Sequence, residues 1–277
     1  MKIRGFITHK QAEQYIDCQD YFSVDAKKRK IAVSDGMTQS IFSAHWAKVL
    51  VHSYVHKEWN KQNDITELQN EWIEYVRKEL LHQKDIGWPT WMIENALNMK
   101  QGAGATLCGI CFNGYKWESL VIGDTSIVEV DEKNNIVKIH KSKGGGYDNH
   151  PDYLDSFEGI VGNIVSASGI LKDFHKILLV SDPIAELLYY KQNEDMCPLL
   201  VNKMLSVNNH QNFCNLVDVL RKDEGMHNDD STMIIIEHDG MEQFNLDSSM
   251  DNLDVLIENE ARAQTKSIER YETTKLF

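Results

Sequence analysis

Aspartates recur at the edges of apolar runs in this chain. Asp35 closes IAVSDGM, Asp124 closes LVIGDTS, Asp182 closes ILLVSDP, and Asp229-Asp230 stands just before STMIIIE. Asp20, in CQDYFSV, opens such a run. A single aspartate at a strand end is ordinarily a turn residue or a cap. The near-identical contexts VSDG and VSDP carry more, because each sends an apolar strand into an Asp that leaves the sheet. If these strands lie side by side, their carboxylates converge, and converging carboxylates raise one another's pKa unless a cation neutralises them. Hard divalent ions take oxygen ligands, so Mg²⁺ or Mn²⁺ suits the set. Gly36, following Asp35, has no side chain and lets its carbonyl approach such an ion closely.

The elements that must position these carboxylates follow from periodicity. FSVD and KIAVSDG read as strands around the cationic tip AKKRK, a solvated hairpin turn. From about Ser40, Phe42, Trp46, Val49 or Leu50, and Tyr54 recur at helical spacing. A second helix follows Asn63-Asp64, where Asp64-Ile65-Thr66-Glu67 forms a capping-box pattern before the stripe Leu68, Trp72, Val76 and Leu80. Gly87-Trp88-Pro89 breaks it, and a short helix is predicted from Trp91 to Met99. Strands return in GATLCGICFNG, KWESLVIGD, SIVEVD and NIVKIHKS, joined by local turns that favour an antiparallel meander. SKGGGYDNHPDYLDSFEG reads as a long surface loop. HKILLVSD is a buried strand, PIAELLYYK opens a helix with Pro183 in its first turn, Cys197 to Leu220 is mostly helical, and STMIIIEH is a last core strand. The order predicts an α+β fold with antiparallel sheets and helices outside. Residues 1–240 form one domain. Residues 241–277 form an acidic C-terminal extension whose Leu253, Leu256, Ala263 and Ile268 suit an amphipathic helix.

Composition narrows the function. Against 29 Lys and Arg stand 42 Asp and Glu, a net charge of −13, which disfavours nucleic acid and anionic membranes as general partners. A hydrophobic fraction of 42% with 26% charged residues is globular. The first residues lack the apolar segment of a signal peptide, and no run approaches a membrane span. Five cysteines are too sparse for a disulfide scaffold, so a reducing, cytoplasmic setting is expected. Cys108 and Cys111 make a CxxC, but on a strand they face opposite sides and read as buried thiols. His52 and His56 lack the glutamate of HExxH, and Gly144-Gly145-Gly146 is not followed by GK[ST], so neither is assigned a ligand.

Taken in order, Gln19-Asp20, Ser34-Asp35-Gly36, Gly104-Ala105-Thr106-Leu107, Gly123-Asp124-Thr125, Ser181-Asp182 and Asp229-Asp230-Ser231-Thr232 resemble the metal-dependent protein phosphatases of type 2C. Gly5, His9, Gln19 and Asp20 match the opening of the bacterial-type branch. The resemblance implies a β-sandwich of two antiparallel sheets flanked by helix pairs. It implies that Asp35 bridges two metals, that the Gly36 carbonyl serves the second, and that Asp182 and Asp229 complete the first. Asp124 with Asp182 resembles the pair that can hold a weaker third ion, and Asp20 the carboxylate that orients metal-bound water. Gly144 to Phe157 falls where the family carries a flap. The implied activity is phosphomonoester hydrolysis of phosphoserine or phosphothreonine in a protein substrate, using Mn²⁺ or Mg²⁺ and opposing a kinase system.

The sequence also departs from the family pattern. Gln19 stands where Glu is common, Met37 where eukaryotic members have His, Pro183 where Gly is common, and Tyr15 near the eukaryotic phosphate-binding Arg. His9 is the candidate for the substrate phosphate, with Arg4 as the alternative. Two further readings stand beside the protein phosphatase: a catalytically weak module that binds a phosphorylated partner, and a phosphatase of small molecules.

Overall fold

A computed structural model of the chain describes residues 1–57, 63–143, 146–147, 150–248 and 250–274, with the side chains of 63–64 and 266–274 outside the description. The strands are β1 (Lys2–Thr8), β2 (Asp20–Asp25), β3 (Lys30–Asp35), β4 (Gly104–Ala105), β5 (Leu107–Asn113), β6 (Lys116–Ile122), β7 (Ser126–Val130), β8 (Ile136–His140), β9 (Tyr153–Asp155), β10 (Gly159–Val161), β11 (Val165–Ile170), β12 (Lys176–Val180), β13 (Ser231–Glu237) and β14 (Asn245–Leu246). The helices are α1 (Ser43–His56), α2 (Asn63–Asp85), α3 (Trp91–Asn98), α4 (Asp182–Lys191), α5 (Cys197–Leu205), α6 (His210–Asp223) and α7 (Leu253–Thr274), with a 3-10 turn at Tyr15–Asp17.

A six-stranded sheet runs β14-β1-β13-β12-β7-β8, and a five-stranded sheet runs β11-β6-β5-β3-β2. Pairing is antiparallel in both, except that β14 runs parallel to β1. The period-2 alternation of the strands divides the core. Ile3, Ile7, Ile177, Leu179, Ile234 and Ile236 face the second sheet and pack in one cluster with Ile31, Val33, Cys108 and Ile110. Phe6, Leu178, Val180, Met233 and Ile235 face the other way, against Ile184, Leu188, Val201, Phe213 and Val217 of α4, α5 and α6. On the far side, Trp46 and Leu50 of α1 and Leu68, Trp72 and Val76 of α2 join the inner cluster. Each large side chain so buried contributes about 1.5–3 kcal/mol. The result is the expected sandwich flanked by helices.

The structure adds elements that the sequence pattern hides. A third sheet, β10-β9-β4, takes up part of the segment read as one surface loop, because Tyr153–Asp155 pairs with Gly104–Ala105 on one side and Gly159–Val161 on the other. β1 and β11 are further strands. Cys197 to Leu220 is broken at Ser206–Asn209, where the Asn209 side chain accepts from Asn212 N at 2.8 Å and caps α6. Gly144 and Gly145 and the side chains of Asp64 and Ile268 lie outside the described residues. No helix among the described residues is long and apolar enough to cross a membrane.

The extension is tied to the domain. Asn245 and Leu246 pair with Lys2 and Ile3. Leu253 and Leu256 are buried in the inner cluster. Asp254 takes Lys48 Nζ at 2.8 and 2.9 Å and accepts from the Tyr21 hydroxyl. Glu260 Oε2 accepts from Tyr15 N at 2.9 Å.

Candidate active site

Asp35 ends β3, and its backbone is clamped by Thr106. Asp35 N donates to Thr106 Oγ1 at 3.1 Å, and Thr106 N donates to Asp35 O at 2.8 Å. Ser34 Oγ donates to Thr106 O at 2.5 Å. The following turn is held by Gly36 N on Gln19 O at 3.2 Å and Met37 N on Gly104 O at 2.9 Å. The GATL motif therefore serves the site by fixing the strand end that carries Asp35. Gly36 has no room for a side chain: a Cβ there would lie 2.8 Å from the Ser43 carbonyl carbon at the start of α1. Gly123, with φ +103°, turns the chain into Asp124, and a Cβ there would meet Thr106 at 2.5 Å.

Asp182 lies in the first turn of α4, after the β12 strand end, where the helix dipole favours negative charge. Ser181 locks that end to β13, donating through N to Thr232 O at 3.1 Å and accepting from Thr232 N on Oγ at 2.8 Å. Asp229 precedes β13, with Arg221 Nη2 donating to its carbonyl at 2.7 Å.

One cleft of about 450 Å³ is lined by Asp35, Gly36, Thr106, Asp124, Asp182 and Asp229, together with Met37, Thr38, Gln39, His150 and Pro151. The structure thus brings five sequence-predicted residues to one place. Asp20 sits behind them, fully buried, with Oδ2 accepting from Thr232 Oγ1 at 2.7 Å. A larger hollow, about 820 Å³, lies between the β2–β3 turn and Met241–Phe244 and gathers no set of ligating side chains.

The electrostatics are those of crowded anions. Burial pushes the Asp35 carboxyl well above its ordinary pKa, and Asp20, Asp182, Asp124 and Asp229 push further. Burial likewise raises Asp182, followed by Asp124, Asp229 and Asp20. Asp20 is pushed up to about 8, by burial first and Asp230 second, against opposing hydrogen bonds from Thr232 and Ser181. The buried oxygens Asp182 Oδ1 and Asp20 Oδ1 have no hydrogen-bond partner. Among the described residues no three His, Cys, Asp or Glu side chains close together tightly enough to grip an ion as they stand. The donor set nonetheless fits hard divalent ions: it is all oxygen, it is partly unsatisfied, and its mutual repulsion is what a cation would remove.

Other assignments resolve differently. The ring of His9 stands edge-on to Tyr15, with centroids 4.6 Å apart and Nδ1 2.7 Å from Lys10 O, and His9 is not among the residues lining the cleft. Arg4 is not a phosphate contact: it is buried, donating to Leu205 O at 3.0 Å, to Val207 O, and to Glu237 Oε2 at 2.6 Å. The Tyr15 hydroxyl is 2.9 Å from His210 Nε2, turned toward α6. Gln19 Nε2 donates to Ser43 Oγ at 2.8 Å. Lys10 and His150 are additions that no motif announced. Lys10 Nζ lies 3.0 Å from Asp229 Oδ1. Burial opposes the charge on Lys10, but the Asp229 hydrogen bond and the charges of Asp229, Asp230 and Glu13 outweigh it and raise its pKa.

Similarity to known proteins agrees with this architecture. None of the curated proteins matches the chain by sequence. Among solved structures, the serine/threonine phosphatase Stp1 from Staphylococcus aureus superposes with a TM-score of 0.55 at 14% identity, covering 86% of this chain and 95% of that one. The S. agalactiae serine/threonine phosphatase gives 0.53 at 12% identity, covering 85% and 99%. A bacterial serine phosphatase gives 0.50 at 13%, covering 84% and 96%. At such identities these likenesses concern the fold. The sequence model of the protein phosphatase 2C family matches residues 9–221, the greater part of the chain, and with the aspartates brought to one cleft in that fold, the chain belongs to the protein phosphatase 2C family.

Proposed function

We propose that this chain is a metal-dependent serine/threonine phosphoprotein phosphatase of the cytoplasm, acting against a kinase system. One observation carries the reading: two buried carboxylate oxygens, on Asp20 and Asp182, lack partners in and behind a cleft where burial first, and neighbouring aspartates second, hold the carboxyl pKa values high. Such a set is complete only with cations.

Asp35, Asp182 and Asp229, with the Gly36 carbonyl, would hold two ions, Mn²⁺ or Mg²⁺, and Asp124 with Asp182 a weaker third. When bound, these ions supply an activated water and neutralise phosphoryl charge. The chain's own part is positioning. Thr106 and Ser181 fix the strand ends that carry Asp35 and Asp182, and Thr232 orients Asp20 so that its second oxygen can accept from a water. The test is hydrolysis of a chromogenic phosphate ester and of a phosphothreonine peptide with Mn²⁺ or Mg²⁺. Turnover that survives exhaustive dialysis against EDTA would sink the mechanism.

A second reading, a catalytically weak module binding a phosphorylated partner, draws support from Gln19 turned to Ser43 and from the lack, among the described residues, of three side chains close enough to grip an ion as they stand. It predicts phosphopeptide binding with no turnover at saturating Mn²⁺.

A further inference from the structure

The cleft is walled by carboxylates, yet a phosphomonoester is itself an anion, so its capture calls for positive charge that belongs to the chain. Lys10 does not line the cleft itself, but its ammonium touches two residues that do. Its Nζ lies 3.0 Å from Asp229 Oδ1 and donates to Thr38 Oγ1 at 3.2 Å, and Asp229 and Thr38 both line the cleft. An ammonium carries three N–H donors, and these contacts use two. The third is left for an incoming oxygen.

The backbone beneath Lys10 is fixed in advance. Lys10 N donates to Asp230 Oδ1 at 2.9 Å and Gln19 N to Asp230 Oδ2 at 2.8 Å, so one buried carboxylate ties both ends of the β1–β2 connection. Gln11 N donates to Asn228 Oδ1 at 2.8 Å, and Arg221 Nη2 reaches His9 O at 3.1 Å and Asp229 O at 2.7 Å. Anchoring of this kind lowers the entropy lost when a long side chain is ordered on a ligand. A lysine serving only as counter-ion would be satisfied by Asp229 alone. The contact with Thr38, a neutral hydroxyl on the segment after Gly36, instead holds the ammonium between two residues of the cleft lining.

We propose that Lys10 is the cation that binds the phosphoryl oxygens of the substrate, an inference that rests on the phosphatase reading above. The probe is inorganic phosphate, titrated by calorimetry into Mg²⁺-loaded full-length protein. Losing a hydrogen bond to a charged group weakens binding by about tenfold to a hundredfold. Lys10→Met should therefore bind phosphate at least about tenfold more weakly and raise KM for a chromogenic ester more than it lowers kcat. Its Mg²⁺ affinity, measured without phosphate, should hold or tighten, since Asp229 loses its internal partner. Lys10→Arg should retain most of the phosphate affinity, and Lys10→Gln replaces Lys10→Met if the latter does not fold. Unchanged phosphate affinity in the neutral variant, or no phosphate binding by wild type, overturns the inference. If wild type binds phosphate through Lys10 but hydrolyses no ester, the phosphatase reading fails and the assignment of Lys10 stands.

Discussion

Asp20 and Asp35 are register partners across the antiparallel β2–β3 pair, so two acids are built into neighbouring strand ends. Asp20 is pushed up to about 8 by burial and by Asp230. In the unfolded chain its pKa is about 3.9. Between those values the native state holds more protons than the unfolded one, so metal-free stability falls as pH rises through this window. Thermal melts after EDTA treatment should show a lower Tm at pH 8 than at pH 5.5, and millimolar Mg²⁺ should recover the loss at pH 8 by binding the native state. A metal-free Tm that climbs with pH across this range would contradict the crowding of Asp20, Asp35, Asp182 and Asp230.

Asp35→Asn removes the charge at the centre of the acidic wall. We expect loss of metal binding by calorimetry and a fall in ester turnover of orders of magnitude, with the circular dichroism spectrum preserved. Asp124→Asn should lower turnover while sparing the tighter ions. Equal metal loss in the two variants would refute the separate role given to Asp124.

Gly36→Ala tests the packing of the turn. The added methyl meets the Ser43 backbone at 2.8 Å, and backbone cannot yield as a flexible side chain can. Overpacking of this kind costs about 1–3 kcal/mol. Both Tm and metal affinity should fall, because the carbonyl at this position moves with the turn. A variant with wild-type Tm and metal affinity would remove Gly36 from the site.

The strands that end in Asp35 and Asp182 were legible because apolar runs delivered an acid at their ends. β1 was not, because Arg4 and Gly5 interrupt KIRGFIT. Arg4 is tolerated inside because Glu237 and two carbonyls take up its two terminal nitrogens. β11, VSASGI, is too polar to stand out, since Ser166, Ser168 and Ile170 are exposed. Lys10 left no trace in the pattern. A lone lysine acquires meaning only when a residue 219 positions away, Asp229, is folded against it. The dipeptide Asp229-Asp230 was legible as a motif but not in its division of labour, one side chain at the cleft and the other tying the β1–β2 connection.

The extension provides a stability test. Leu256 is 6% exposed, and Leu→Ala in such a place costs about 2–5 kcal/mol. Leu256→Ala should therefore lower Tm by several degrees. Truncation after Gly240 should do worse, because it also removes β14 from the edge of β1, Leu253 from the core and Glu260 from the Tyr15 amide. Scanning calorimetry of both variants measures this. A truncated chain that melts like the full protein would make the extension an ornament.

The contact between Thr232 Oγ1 and Asp20 joins residues 212 positions apart, and among the described residues β1 finds its sheet neighbours in β13 and β14. During synthesis, β1 must therefore wait for β13 to leave the ribosome before it can pair. Contacts of such sequence separation form late and slowly. The five-stranded sheet, in which β2–β3 and β5–β6 are hairpins and β3 pairs with β5 across the α1–α3 segment, can assemble much earlier. A nascent chain thus carries Asp20 and Asp35 side by side long before Asp229 exists to join them, and cannot close its acidic cleft until Asp229 and β13 have been made.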